Sequence, residues 1–192
     1  MADTCADVAE ATYGDSPTTA KALQTAVAAL VAAPSAETLT TTRIAWLAAR
    51  VPCQQSEAFR FGNSVVDDWE GKVSGWPLDE GLSYVDPGQV PSDENPLAIL
   101  NVIATPKLTL SGTESAPTTM KFTFISGTLQ DADGIESNVA AGYHAVEFLL
   151  SGQFLNGTAP GAGNRPHNDF VVGNACTAGQ LRLPRGQSGG GE

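Results

Sequence analysis

SPTTAKALQTAVAALVAAPSAETLTTTRIAWLAARV, residues 16–51, decides the fold. Leu23, Val27, Leu30 and Val31 recur at helical spacing and make one apolar stripe. Ser16 is placed to cap that helix and Pro17 suits its first turn, so a helix is predicted over residues 16–33. Pro34 ends it, because proline has no backbone N–H to continue the ladder. Ser35 opens a second helix, whose run passes through Leu39, Trp46, Leu47 and Val51 between Glu37 and Glu57. Pro52 is expected to bend or break that run. Two helices joined so tightly should be antiparallel neighbours.

Farther along, the pattern loosens. Between residues 62 and 95, Gly71, Gly75, Pro77, Gly81, Pro87, Gly88 and Pro91 punctuate the chain, leaving room for short helical turns over 65–72 and 78–84. Ser92-Asp93-Glu94 reads as the opening of a short helix carrying Leu97, Leu100 and Ile103. Residues 105–119 are loop-like. Met120, Phe122 and Phe124 alternate with Lys121 and Thr123, the spacing of a strand. Residues 135–151 are predicted as a helix with Val139, Tyr143, Val146, Leu149 and Leu150 on its apolar face. NGTAPGAGNRP, residues 156–166, reads as a loop, and residues 177–192 as a disordered Gly-rich tail.

A chain of 192 residues is one domain of ordinary size. It is 42% apolar but only 7% aromatic, so its core is built from Ala, Leu and Val. With 21 acidic and 10 basic residues the net charge is −11. That argues against nucleic acid, whose phosphates demand a basic surface, and against an anionic membrane surface; it suits the binding of cations. No apolar run reaches the roughly 20 residues of a transmembrane segment. MADTCADVAE, at the start, has no basic region ahead of an apolar one, so no signal peptide is read there. Cys5, Cys53 and Cys176 are far apart and form no C-x-x-C pair.

The chemistry-bearing candidate is Gly142-Tyr143-His144-Ala145-Val146-Glu147. On a helix His144 and Glu147 stand at i and i+3, so imidazole and carboxylate leave from one face. Such a pair is half of a site for iron, zinc or a similar divalent ion. The plainer reading is a hydrogen-bonded pair on a helix surface. Glu57 and Arg60 are also at i and i+3 and read as a surface ion pair. Asp67, Asp68 and Glu70 around Trp69, and Asp79 and Glu80 after Trp76-Pro77, read as solvated charges. Zinc-protease helix motifs, a phosphate loop and a G-x-S-x-G elbow are absent from the sequence. Asp131-Ala132-Asp133-Gly134 fails as a calcium loop, since Leu129 and Ala140 stand where carboxylates belong.

Four segments occur together and in order: TTRIAWLAARVPCQQSEAFRFG (41–62), DDWEGKVSGWPLDEGLSYVD (67–86), GYHAVEFLLSGQ (142–153) and GAGNRPHNDF (161–170). They resemble the imelysin-like family, whose signature G-x-H-x-x-E is met by Gly142, His144 and Glu147. The resemblance spans roughly residues 8–176 and assigns them to one imelysin-like domain, residues 1–176. It implies an all-α fold, a helical bundle that is one half of a two-bundle architecture with long irregular loops. It implies a metal site at His144 and Glu147, holding divalent iron or zinc, with Glu57, Arg60, Trp76 and Asp79 as neighbours. It also implies a bacterial periplasmic or outer-membrane location and a part in iron uptake or homeostasis beside other envelope iron-transport proteins.

The chain departs from the family pattern in places. Cys53 stands where tyrosine is usual, and Ser151 and Phe154 stand where tryptophan and aspartate are expected. The helices that should follow residue 176 are replaced by the Gly-rich tail. The leading expectation is therefore a metal-binding envelope protein. The alternatives are a metallopeptidase of the imelysin type and a truncated fragment without function.

Overall fold

The computed structural model of the chain describes residues 2–60, 62–79, 82, 95–103, 108–110, 112–115, 121–152, 163 and 165–171. The chain divides into two compact units, Met1–Gly71 and Lys72–Glu192. The described residues are mostly helical and their sheet is a two-stranded hairpin, so the fold is all-α as the resemblance implied. The predicted tail, residues 177–192, lies outside the described residues, as does most of the helical turn predicted over 78–84.

The first unit is built on the expected helical hairpin. Helix α1 spans Ala2–Ala32 and α2 spans Ala36–Ser56. Ser35 caps α2 as its sequence position predicts: its hydroxyl accepts the Thr38 N–H at 3.1 Å, and the Thr38 hydroxyl accepts the Ser35 N–H at 2.9 Å. The Thr42 hydroxyl donates to the Ala26 carbonyl at 3.1 Å. Those two residues stand eight before and eight after Pro34 (34 − 26 and 42 − 34), which is the register of antiparallel neighbours.

Three expectations for this hairpin are corrected. Helix α1 does not begin at Ser16; it begins at Ala2 and carries Pro17 in its interior. Threonine hydroxyls stitch the turn around the proline: Thr18 donates to the Gly14 carbonyl at 3.1 Å and Thr19 to that of Asp15 at 3.0 Å. Pro52 likewise lies inside α2 rather than ending it, and a 3₁₀ turn, Glu57–Phe59, follows Ser56. The buried face of α2 is Leu39, Thr42, Ala49, Pro52 and Cys53, whereas Leu47 and Val51 are more than half exposed. In α1, Leu23 and Leu30 are buried but Val31 is exposed. No described residue of α1 before Leu23 is buried.

Burial of Cys53 raises its thiol pKa, against the opposing charge and hydrogen bond of Arg50, while Glu57 and Glu70 add to the rise. A thiol must ionise to act as a nucleophile. Iodoacetamide at neutral pH should therefore modify exposed Cys5 well before Cys53; equal rates at the two positions would contradict the burial.

Helix α3, Ser64–Ser74, extends the turn predicted over 65–72. In the second unit, strands β1 (Leu108–Leu110) and β2 (Thr113–Ser115) pair antiparallel, with Leu108 opposite Ser115 and Leu110 opposite Thr113. Residues 105–119 are thus not wholly loop. Leu108 and Leu110 point inward and Thr109 outward, and Gly112 takes the positive φ of the turn. The strand predicted over 120–124 is instead a helical turn, α4 (Phe122–Phe124), continuing as a π-helical turn through Ile125–Leu129. Residues 96–103 make turns rather than the predicted helix.

The core of this unit gathers Leu82, Leu97, Val102, Leu108, Leu110, Leu129 and Ala132. Helix α5 runs only over Gly142–Ser151, so the predicted helix 135–151 loses its first seven positions (135 to 141). Those positions form an irregular lead-in, where Val139 is buried without being helical. The Gln130 side chain holds the lead-in, its Oε1 accepting from the N–H groups of Ala140 at 3.0 Å and Ala141 at 3.1 Å.

Candidate functional site

Tyr143, Ala145, Phe148 and Leu150 are the buried residues of α5 and anchor the helix. His144 and Glu147 fall between those anchors, on its rim. The His144 side chain is 16% exposed and that of Glu147 is 44% exposed. His144 Nδ1 lies 3.4 Å from Glu147 Oε2, so the pair predicted from i, i+3 spacing is formed. The Trp76 indole rests against the His144 ring, with centroids 5.0 Å apart and planes tilted by 50°. Trp76 is itself 73% exposed, so it flanks the imidazole without closing over it.

Helix α5 can enter this position because its first residue is glycine. Gly142 has φ +89°, and a Cβ built there would lie 2.5 Å from the Val73 carbonyl oxygen and 2.8 Å from that of Lys72. The end of α3 and the start of α5 therefore touch backbone to backbone, two residues before His144 and three before Trp76.

Asp79 follows Trp76 by three residues but is committed to a polar network. Its N–H donates to the Ser137 carbonyl at 2.8 Å. Its Oδ2 accepts from the Ser137 hydroxyl at 2.8 Å and from the Asn95 amide. Asn95 also donates to Asn138 Oδ1, and Asn138 donates to the Ala132 carbonyl, each at 2.8 Å. Asn95 and Asn138 are buried, so these bonds tie three separated stretches of chain inside the unit.

Glu57 and Arg60 belong to the first unit. Arg60 does not take Glu57 as its close partner; its Nη1 lies 2.6 Å from Glu70 Oε1 on α3, and both side chains are about one-third exposed. The Glu70 hydrogen bond and charge raise the Arg60 pKa, with Glu57 and Asp67 adding to the rise. Trp76, His144 and Glu147 are thus brought into one patch of the second unit, with Asp79 beside Trp76 in sequence.

Sequence reading passed over a buried pair inside GAGNRPHNDF. Arg165 Nη1 lies 3.6 Å from Asp169 Oδ2, and both side chains are fully buried. The Arg165 N–H also donates to the Ser151 carbonyl at 3.0 Å, joining this segment to the last residue of α5. The i, i+4 spacing of opposite charges was the available signal.

As donors, His144 and Glu147 supply one imidazole nitrogen and one carboxylate oxygen. Two ligands of one tetrahedral ion, each bonded at about 2.0–2.2 Å, stand about 3.4 Å apart, the spacing found here. Among the described residues, no group of three or more His, Cys, Asp or Glu side chains is gathered around an ion position. Also among them, no helix is long and apolar enough to cross a membrane.

No curated protein matches the chain. The family model described as Imelysin, and named as peptidase family M75, matches residues 9–183. The match takes in all four segments on which the resemblance rested, and every site residue named from it. The chain belongs to the imelysin family.

Proposed function

We propose that this imelysin-family protein binds a divalent metal ion, iron or zinc, through His144 and Glu147, and serves iron acquisition or homeostasis in the bacterial cell envelope. The observation that carries the metal assignment is the 3.4 Å separation of His144 Nδ1 and Glu147 Oε2 on an accessible rim of α5. The net charge of −11 favours a cationic ligand. Iron uptake and the envelope location rest on the family resemblance. Two protein donors make a weak site, since structural and catalytic ions usually take three or four.

Calorimetric titration with ferrous iron and zinc tests this reading. His144→Ala should lower affinity at least about tenfold, since one of the two protein donors is lost. Equal binding by the wild type and His144→Ala removes the site from the account.

The family's name as a peptidase family favours a second reading, a metallopeptidase. The ion would then activate water, with Glu147 or another carboxylate as base. Chelator-sensitive cleavage of a protein substrate, lost in His144→Ala, would distinguish it.

A further inference from the structure

We infer that Gly142 is a positioning residue for the site, acting through the seam between the last turn of α3 and the first turn of α5. Two observations carry this. The backbone at Gly142 has φ +89°, where a side chain is strained. Separately, the space a Cβ would need is filled by the Val73 carbonyl oxygen at 2.5 Å, with the Val73 carbonyl carbon and the Lys72 carbonyl oxygen at 2.8 Å. These are backbone atoms at a helix end, so they cannot swing aside as a long side chain would. Any residue larger than glycine pushes α5 off α3. His144 leads away from one side of that seam and Trp76 from the other, so the first contact to open is the tilted packing of indole on imidazole, 5.0 Å between centroids. The glycine of the G-x-H-x-x-E signature thereby fixes where the histidine stands.

The test uses proton NMR on the full chain. His144 and His167 are its two histidines, so their ring protons are readily separated. The Trp76 ring current should displace the His144 ring-proton shifts, and Trp76→Ala should abolish that shift. Gly142→Ala should abolish it too, while Val139→Ala, which removes a nearby buried side chain but leaves the seam intact, should keep it. Gly142→Asn separates the two causes. Asparagine tolerates positive φ but carries a Cβ, so it should fail as alanine does. Recovery of the shift in Gly142→Asn, or its survival in Gly142→Ala, overturns the inference. If neither variant folds, the wild type decides: Gly142 Hα must show a nuclear Overhauser contact to Val73, and its absence overturns the inference.

Zinc titration adds a second arm, which alone rests on the metal-site reading. Gly142→Ala should bind at least about tenfold more weakly, the usual cost of disturbing a ligand's support. A wild type that shows the ring shift but binds no metal sinks the metal reading and leaves the role of Gly142 standing.

Discussion

Asp169→Ala should destabilise the protein by about 3–5 kcal/mol, the range for removing one partner of a buried ion pair. Arg165 and Asp169 are both fully buried and 3.6 Å apart. Guanidinium does not lose its proton in a protein, so Arg165 cannot escape the loss of its partner by becoming neutral. The arginine would then keep its charge in the interior without this carboxylate, beside the backbone bond that joins it to Ser151. For a chain of this size the change corresponds to a fall in melting temperature of roughly 6–20 °C. Replacing both partners at once, Arg165→Met with Asp169→Leu, should be milder than the single change, because no charge is stranded. Denaturant unfolding of the three proteins measures all of this. A single variant within about 1 kcal/mol of the wild type would show that the pair is not buried as described.

Asp79→Ala is expected to cost about 1.5–3 kcal/mol, the scale of a lost hydrogen bond to a charged group. Asp79 Oδ2 receives both Ser137 and Asn95, and Asn95 in turn supports Asn138. Removing the acceptor strips the first two bonds and loosens the third. Asp79→Asn keeps an acceptor oxygen in place and should cost markedly less. Zinc titration of the folded Asp79→Asn protein separates support from ligation. Affinity close to wild type is expected, whereas a loss as large as that of His144→Ala would make Asp79 a direct ligand.

Legibility in the sequence followed how local each determinant is. Ser35 and Thr38 cap α2 through bonds spanning three residues, and the i, i+3 relation of His144 and Glu147 is equally local, so both could be read directly. Pro17 misled because its helix-starting preference is real, while the Ala-rich stretch before it and the hydroxyls of Thr18 and Thr19 sustain a helix through it. The alternation of Met120, Phe122 and Phe124 covers too few residues to separate a strand from a turn. Phe122 proves to be largely exposed on a helical turn. Leu108 and Leu110 carried the same alternation with a glycine turn after them, and they do form a strand. The lead-in 135–141 had helical periodicity but was claimed by distant partners, Asp79 and Gln130, which no window of sequence reveals. The family resemblance supplied the all-α class; the backbone contact at Gly142 and the Asp79 network needed coordinates.

The long unburied start of α1 has a practical consequence for handling the protein. Its helix is held there by its own ladder, by threonine hydroxyls and by one ring contact, Tyr13 on Phe59 with centroids 6.4 Å apart, and Leu23 is the first side chain to reach the core. Such a stretch opens easily and is an inviting target for proteases. Trypsin would nevertheless spare it, since the first basic residue is Lys21, whereas chymotrypsin should clip at exposed Tyr13 while leaving the packed hairpin whole.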